Sequence, residues 1–371
     1  MTLPYQKLKE MILGASPMIV SSVGIREDQI QPASLDMTLG RRAYRVSSSI
    51  LPRKNETIAE LLEKYTLYSF ELKEHTILEK NASYIIPLQE SVELPDEIFA
   101  VASPKSSIGR VDVFVRLLVD ATPQFDYVPR GYKGPIYIEV IPLSFVVSVS
   151  SGLSLNQLRF KTDESQQLST IDLKLAHSQY GLVFDPYAHE PLPPHALNIH
   201  NNSLALTVDL KNRDIIGWRS KPSTVVIDLS QREALEAEQC WEPIYRQERE
   251  ELILAPNSFY LLASVERIRV PIPYSCEMAA YDVSSGELRS HYAGFFDPGF
   301  GYGVDGSVPG ATAVLEVRPH SVPFRITHGQ VICKMIYEKL SEQPEKVYSQ
   351  SAGSYYTDLG PKLSKHFKNA W

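Results

Sequence analysis

One β-rich pattern runs through this chain twice, about 176 positions apart, and such a duplication decides what counts as a structural unit before any element is assigned. Asn81, Tyr84, Glu90 and Pro95, in the segment from Leu78 to Pro95, recur in the same register as Asn257, Tyr260, Glu266 and Pro271. Glu139-Val140 is followed thirteen residues later by Gly152, and Glu316-Val317 thirteen residues later by Gly329. Two blocks with nearly the same displacement make duplication a better explanation than chance.

The 371 residues are enough for two tandem domains, each with its own core, and 43% hydrophobic with 22% charged residues is ordinary globular composition. We expect a first barrel over residues 1–165, a proline-rich linker over 166–198 and a second barrel over 199–371. Ser83-Tyr-Ile-Ile-Pro-Leu, Ile98-Phe-Ala-Val-Ala-Ser, Val113-Phe-Val-Arg-Leu-Leu-Val, Phe259-Tyr-Leu-Leu-Ala-Ser-Val and Val331-Ile-Cys-Lys-Met-Ile-Tyr are short β-branched or aromatic runs broken by turn residues, and Thr224-Val-Val-Ile-Asp-Leu is another. With 26 prolines, few long helices fit. The class is all-β: two tandem distorted barrels with short helices over residues 4–13 and 56–65, and one more near Arg232–Trp241.

A net charge of −7 without a Lys/Arg-rich tract argues against a duplex nucleic-acid partner. No stretch approaches the length of an apolar membrane span, and the N-terminus lacks the continuous apolar core of a secretory signal, so a cytoplasmic protein is expected. Cys240, Cys276 and Cys333 are odd in number and widely spaced, which suits buried free thiols.

Only the first repeat carries Lys105-Ser106-Ser107-Ile108-Gly109-Arg110. In a turn or a first helical turn, this run puts hydroxyls, backbone N–H groups and an Arg fork on one anion. The bland alternative is a Ser-rich turn with a surface Arg. Downstream, Asp126 precedes Glu139 by thirteen residues, and Asp297 precedes Glu316 by nineteen. A glutamate inside an apolar strand must face solvent, or have a partner or a task. Its recurrence in both copies favours the latter.

At these blocks the chain resembles the dCTP deaminase family, relatives of the trimeric dUTPases. Gln31-Pro-Ala-Ser-Leu-Asp36-Met-Thr-Leu-Gly40 is similar to the family's N-terminal Q-P-S-S-x-D-x-x-L-G, and Lys105–Arg110 to its R-S-S-L-A-R. Phe296-Asp-Pro-Gly-Phe300 is similar to I-D-P-G-[WF], and Val314-Leu-Glu316 to the strand ending in the catalytic glutamate. Val347-Tyr348, Gly353-Ser-Tyr-Tyr356 and Gly360-Pro361 resemble the C-terminal segment that closes over the triphosphate. The resemblance spans nearly the whole chain and implies two dUTPase-like (β-clip) barrels.

It also implies hydrolytic deamination of dCTP to dUTP and ammonia, with Ser106, Ser107, Arg110 and Lys105 on phosphates and Asp297, with Asp126, on the sugar side. Glu316 or Glu139 would be the general acid/base, and Tyr348 part of the lid. Mg²⁺ would accompany the triphosphate. Zinc is not expected, because the His-x-Glu and Pro-Cys-x-x-Cys signature is missing. The partners implied are dCTP and dUTP, dTTP as a candidate inhibitor, and two further copies of the chain in a homotrimer.

The departures are informative. Repeat two has Ser284-Ser285-Gly286 instead of a complete phosphate motif, while repeat one has Asp126-Tyr-Val-Pro in place of Asp-Pro-Gly and no lid. The family's lid lysine and glutamine are replaced by Tyr355 and by Asp358 or Leu359. The expectation is therefore a composite site, with the phosphate grip from the first repeat and Asp297, Glu316 and Tyr348 from the second. A dUTP diphosphatase, alone or combined with deamination, and a non-catalytic nucleotide-binding protein remain the alternatives.

Overall fold

The computed structural model describes residues 1–162, 167–187, 189–280, 288–290, 294–319, 321–350, 360–368 and 371. It divides into two compact units. The first comprises Met1–Ser165 together with Thr224–Arg232; the second comprises Gln166–Ser223 and Glu233–Trp371.

Each unit is built from the same three sheets. In the first, the large sheet runs Thr66–Glu71, Arg42–Val46, Tyr84–Glu93, Lys133–Pro142, Val113–Val119, with Ile19–Ser21 also pairing onto Tyr84–Glu93. In the second the order is Trp241–Tyr245, Ile215–Ser220, Tyr260–Ile268, Ala311–Pro319, Leu288–Ser290, with Val183–Phe184 taking the place of Ile19–Ser21. A second sheet of Leu35–Thr38, Ser154–Thr162, Ile98–Pro104 and Tyr127–Val128 is matched by Ser203–Thr207, Val331–Lys339, Tyr274–Ala280 and Gly294–Phe296. The hairpin-like pair Thr76–Leu78 and Val147–Val149 is matched by Glu251–Leu254 and Phe324–Thr327. Equal strand order with equal crossovers is what a duplicated sequence should give.

The residues repeated in sequence are those that fix this framework. Asn81 and Asn257 both take left-handed backbone, φ 59° and 58°, a conformation that Asn tolerates better than most residues. Their N–H groups donate to Pro142 and Pro319 oxygens. Tyr84 Oη accepts from Glu79 N at 3.0 Å, and Tyr260 Oη from Ala255 N at 2.8 Å. Glu90 accepts from Thr38 N (2.9 Å) and Oγ1 (2.6 Å), just as Glu266 accepts from Thr207 N (2.9 Å) and Oγ1 (2.8 Å). Each carboxylate therefore ties the large sheet to the second one.

The short helices follow their local sequence. Tyr5–Leu13 buries Tyr5, Leu8, Met11 and Ile12 at helical spacing. Ile58–Tyr65 starts with a reciprocal cap, in which Thr57 Oγ1 accepts from Glu60 N and the Glu60 carboxylate accepts from Thr57 N. Its buried side, Ile58, Leu61 and Leu62, packs with Val46, Ile50, Ile85 and Leu118 over the outer face of the large sheet.

Two expectations need correction. The stretch 166–198 is not a linker but part of the second unit: Thr170–Tyr180 is a helix capped by Ser169 and Asp172, and Leu168, Leu173, Ala176, Leu182 and Val183 enter that unit's core. The segment reads as polar because Ile171 and Leu175 are exposed on that helix, which blurs its apolar stripe, and because prolines follow it. Near Arg232–Trp241 only a 3₁₀ turn, Ala237–Gln239, precedes the strand Trp241–Tyr245.

Thr224–Arg232 also departs from a simple tandem order. Its strand Ile227–Asp228 pairs in parallel with Val147–Val149, adding a third strand to the small sheet of the first unit. No helix among the described residues is long and apolar enough to cross a membrane.

Removing either repeated hydroxyl takes the acceptor from one backbone N–H in a turn that is partly open to water. Tyr84→Phe and Tyr260→Phe should therefore each lower unfolding free energy by about 0.5–1.5 kcal/mol in denaturant titration. A loss for one but not the other would show that the two turns are not equivalent.

Candidate active site

In the first unit, Ser106–Gly109 forms a single helical turn after the strand Ile98–Pro104, and Arg110 N donates to Ser106 O at 3.0 Å. One turn of helix thus brings Ser106, Ser107 and Arg110 onto a common rim. Ser107 and Arg110 are buried and Ser106 is half-buried. The Lys105 ammonium lies on the buried carboxylate of Asp36, which is also approached by Gln31 Nε2 at 3.4 Å. Two blocks far apart in sequence, around Asp36 and around Lys105, therefore meet in space.

Glu139 sits in the middle of Lys133–Pro142, opposite Ile85 on one side and Arg116 on the other. It is 1% exposed. Ser49 Oγ donates to its Oε2 at 2.8 Å and Ser83 Oγ to its Oε1 at 2.6 Å. Burial pushes the Glu139 carboxyl above the ordinary glutamate range, and the two hydroxyls and the Arg116 guanidinium pull in the other direction. Arg116 is itself held by an ion pair to Asp126 and stacks over Phe125 at 4.8 Å. Asp126 Oδ1 accepts from Leu117 N at 2.7 Å. The hydrogen bonds and charge that act on Glu139 thus come from Ser49, Ser83 and Arg116, on three separate segments of the first unit. Ser49 also lines a cavity of about 530 Å³ bounded by Ser48–Leu51, Arg53, Lys64 and Tyr65.

In the second unit, Glu316 holds the matching place at the centre of Ala311–Pro319, opposite Leu261, and is 5% exposed. Its setting differs. Phe259, which is wholly buried, stands where the first repeat has Ser83, so that position offers no hydroxyl.

The strand registers revise one sequence pairing. Tyr127 pairs with Val101 and Phe295 with Glu277 at matched positions, while Leu94 N donates to Tyr132 O and Val270 N to Phe300 O. These matches place Pro129-Arg130-Gly131-Tyr132 where the second unit has Asp297-Pro298-Gly299-Phe300. Asp126 is therefore not the counterpart of Asp297; Pro129 is. Counting back from each glutamate misleads because the loops leading to the two strands differ in length.

Tyr348 lies against the Asp297 turn: its N–H donates to Pro298 O at 2.8 Å and its ring meets Phe300 edge-on at 5.3 Å. Gly299, at φ 97°, has Tyr348 N and the Val347 side chain so close that a Cβ would meet both. Ser284, Ser285, Gly286, Gly353–Tyr356, Asp358 and Leu359 lie outside the described residues.

Sequence reasoning missed Ser49, Ser83 and Arg116. Arg116 left a readable trace, a cation within Val113-Phe-Val-Arg-Leu-Leu-Val, one strand from a glutamate. The two serines left none, because their role depends on where the chain folds back.

A family model described as the C-terminal domain of 2'-deoxycytidine 5'-triphosphate deaminase matches residues 173–367, over half the chain, and the model of the N-terminal domain matches residues 1–164. The chain belongs to the dCTP deaminase family. A crystal structure of the dCTP deaminase from Agrobacterium tumefaciens matches it with a TM-score of 0.84 at 37% identity, over 91% of this chain and 98% of that one. Among curated relatives, the dUMP-forming dCTP deaminase of Methanobrevibacter smithii is 32% identical over 141 residues, 37% of this chain and 68% of the relative. The dCTP deaminase of Halorubrum lacusprofundi is 29% identical over 150 residues, 40% and 71% of the two chains.

Because the folded Glu139 carboxyl titrates above its unfolded value, the folded protein holds more protons between those two values. Stability from this group is complete below the unfolded value and is lost as pH rises through the folded one. Thermal melts should therefore shift in favour of the wild type over Glu139→Gln as pH is lowered into the ordinary glutamate range. A difference that does not vary with pH would show that burial leaves this carboxyl unshifted.

Proposed function

We propose that this protein hydrolyses dCTP to release ammonia, with Glu316 as the general base. In this reading the Glu316 carboxylate takes a proton from water as the oxygen adds to C4 of cytosine. The acid so formed delivers that proton to N3; the carboxylate then takes the C4 hydroxyl proton and passes it to the amino group, so that the C4–N bond breaks as the C4 carbonyl forms and ammonia leaves. A carboxylate can do this if its surroundings set a suitable pKa. Ser106, Ser107 and Arg110 hold the phosphates, and Asp297 the sugar side, with Tyr348 packed on its turn. The triphosphate enters as its Mg²⁺ complex, so the ion is part of the substrate. Lys105 and Asp126 serve as supports, since Asp36 and Arg116 already engage them.

The reading rests on the family match over residues 173–367 together with the place of Glu316, a buried carboxylate at the centre of a strand. Glu139 is the weaker candidate because its repeat lacks the Asp-Pro-Gly turn: Pro129 stands where the second unit has Asp297.

Glu316→Gln should lower kcat by about 10²–10⁴-fold, the usual contribution of a general base, while Glu139→Gln should reduce it far less. Arg110→Ala should act mainly on KM. Equal losses for the two glutamates would remove the distinction between them. Ammonia and pyrophosphate are best assayed separately, because the Methanobrevibacter relative is named dUMP-forming. Release of both from dCTP would favour the combined reaction here, whereas pyrophosphate alone would overturn deamination. We further propose a cytoplasmic homotrimer, which sedimentation equilibrium would test by giving three times the chain mass.

A further inference from the structure

We infer that the second unit holds a binding site for a small organic anion, a carboxylate or a phosphate ester, centred on Arg269. It is a site other than the Ser106–Arg110 turn.

The first observation is a buried cation without a counter-charge. Arg269 is 5% exposed. Its Nη1 donates to Tyr180 O at 2.8 Å and its Nη2 to Gly306 O at 2.5 Å. The guanidinium lies over the ring of Tyr302 at 4.4 Å and that of Phe184 at 4.7 Å. Carbonyls and rings steady a cation but bring no net charge to it, and further N–H donors of the guanidinium fork stay unused. Burial pulls Arg269 below the ordinary arginine range, Tyr302 acts in the opposite direction, and among the described residues no carboxylate contributes. A buried charge is ordinarily paired.

The second observation is room beside that cation. Arg269 lines a cavity of about 630 Å³, together with the end of helix Thr170–Tyr180 and the segment Glu190–Pro194. This volume takes a small organic molecule. The wall is well set: His177 Nε2 donates to Leu192 O at 2.6 Å, and its Nδ1 accepts from Leu182 N at 3.1 Å, which makes the imidazole neutral. Pro191, Leu192 and Pro193 give the cavity an apolar side. Glu190, an exposed residue, is the one acid among the described residues that line it.

The first unit carries the opposite charge at the same place. Arg269 N donates to Leu182 O, and at the matching position Glu93 N donates to Met18 O. Glu93 is exposed. One backbone arrangement thus bears a solvated acid in one copy and a buried cation beside a cavity in the other. The cation is therefore no part of the framework that the two copies share. An anion with a flat apolar body meets both features of the cavity, its charge on Arg269 and its body against the prolines.

Phenyl phosphate and benzoate carry the two kinds of anionic group on one apolar ring, and benzyl alcohol is a neutral control. Each is to be titrated into the Arg110→Ala chain, in which the phosphate turn of the first unit is disabled, while the melting temperature is followed. A ligand that binds only the folded chain raises that temperature. One or both anions should do so and benzyl alcohol should not; which anion acts identifies the group that Arg269 takes. Adding Glu190→Gln should tighten binding by up to about fivefold, because an opposing charge is removed. Adding Arg269→Gln should abolish binding. Where that variant does not fold, Arg269→Lys, which keeps the charge but loses the planar fork, should weaken binding about tenfold. The site is overturned if neither anion shifts the melting temperature, if benzyl alcohol shifts it as much, or if the shift is indifferent to both Glu190→Gln and the Arg269 substitution.

Discussion

A carboxylate at the centre of a sheet that is covered on both faces must be given hydrogen bonds or kept protonated, and both halves of this chain contain one. The first half meets that demand internally. Ser49 arrives on the loop after Arg42–Val46, Ser83 precedes the neighbouring strand, and Arg116 stands one strand away, so three segments of its own unit meet Glu139. Helix Ile58–Tyr65, packed over the same face, closes the arrangement. The second half has Phe259 at the position of Ser83, so that position offers no hydroxyl, and Trp218 and Leu261 share the row of Glu316.

The rest of the duplication follows from what each position has to do. Residues that set register, such as Tyr84 and Tyr260 or Glu90 and Glu266 with their threonines, are the same in both copies because a slip of one residue would turn every side chain to the wrong face. The loops between Arg42–Val46 and Thr66–Glu71, and between Ile215–Ser220 and Trp241–Tyr245, carry no such constraint. The first folds into a helix over its own sheet. The second sends Thr224–Arg232 into the first unit, where Ile227 and Asp228 extend an edge strand and Asp228 meets His75 at 2.7 Å. An edge covered in this way is no longer open to pairing with another chain.

Chemistry has been divided along the same lines. The hydroxyl-and-guanidinium turn belongs to the first repeat, whereas the Asp-Pro-Gly turn with Tyr348 against it belongs to the second. At the place of Asp297 the first repeat has Pro129, which can neither accept through its side chain nor donate from its backbone. Neither half therefore keeps the whole set of groups that the family resemblance assigns to a site.

Much of this was legible from the residues alone. The all-β class, the repeat, the strand positions and the two inward glutamates follow from local patterns: alternation, turn residues and a charged residue inside an apolar run are properties of a few neighbours in the chain. Tertiary structure decided what depends on contacts between distant segments. It folded the supposed linker into a core, because Leu168, Leu173 and Leu182 find apolar partners only when the second barrel is assembled. It moved the Asp297 match from Asp126 to Pro129, because register is set by backbone pairing rather than by counting residues. And it gave two glutamates with similar sequence surroundings different neighbours, since the groups that meet a buried carboxylate come from distant segments: Ser49 and Ser83 reach Glu139, whereas Phe259 stands in place of Ser83 in the second unit.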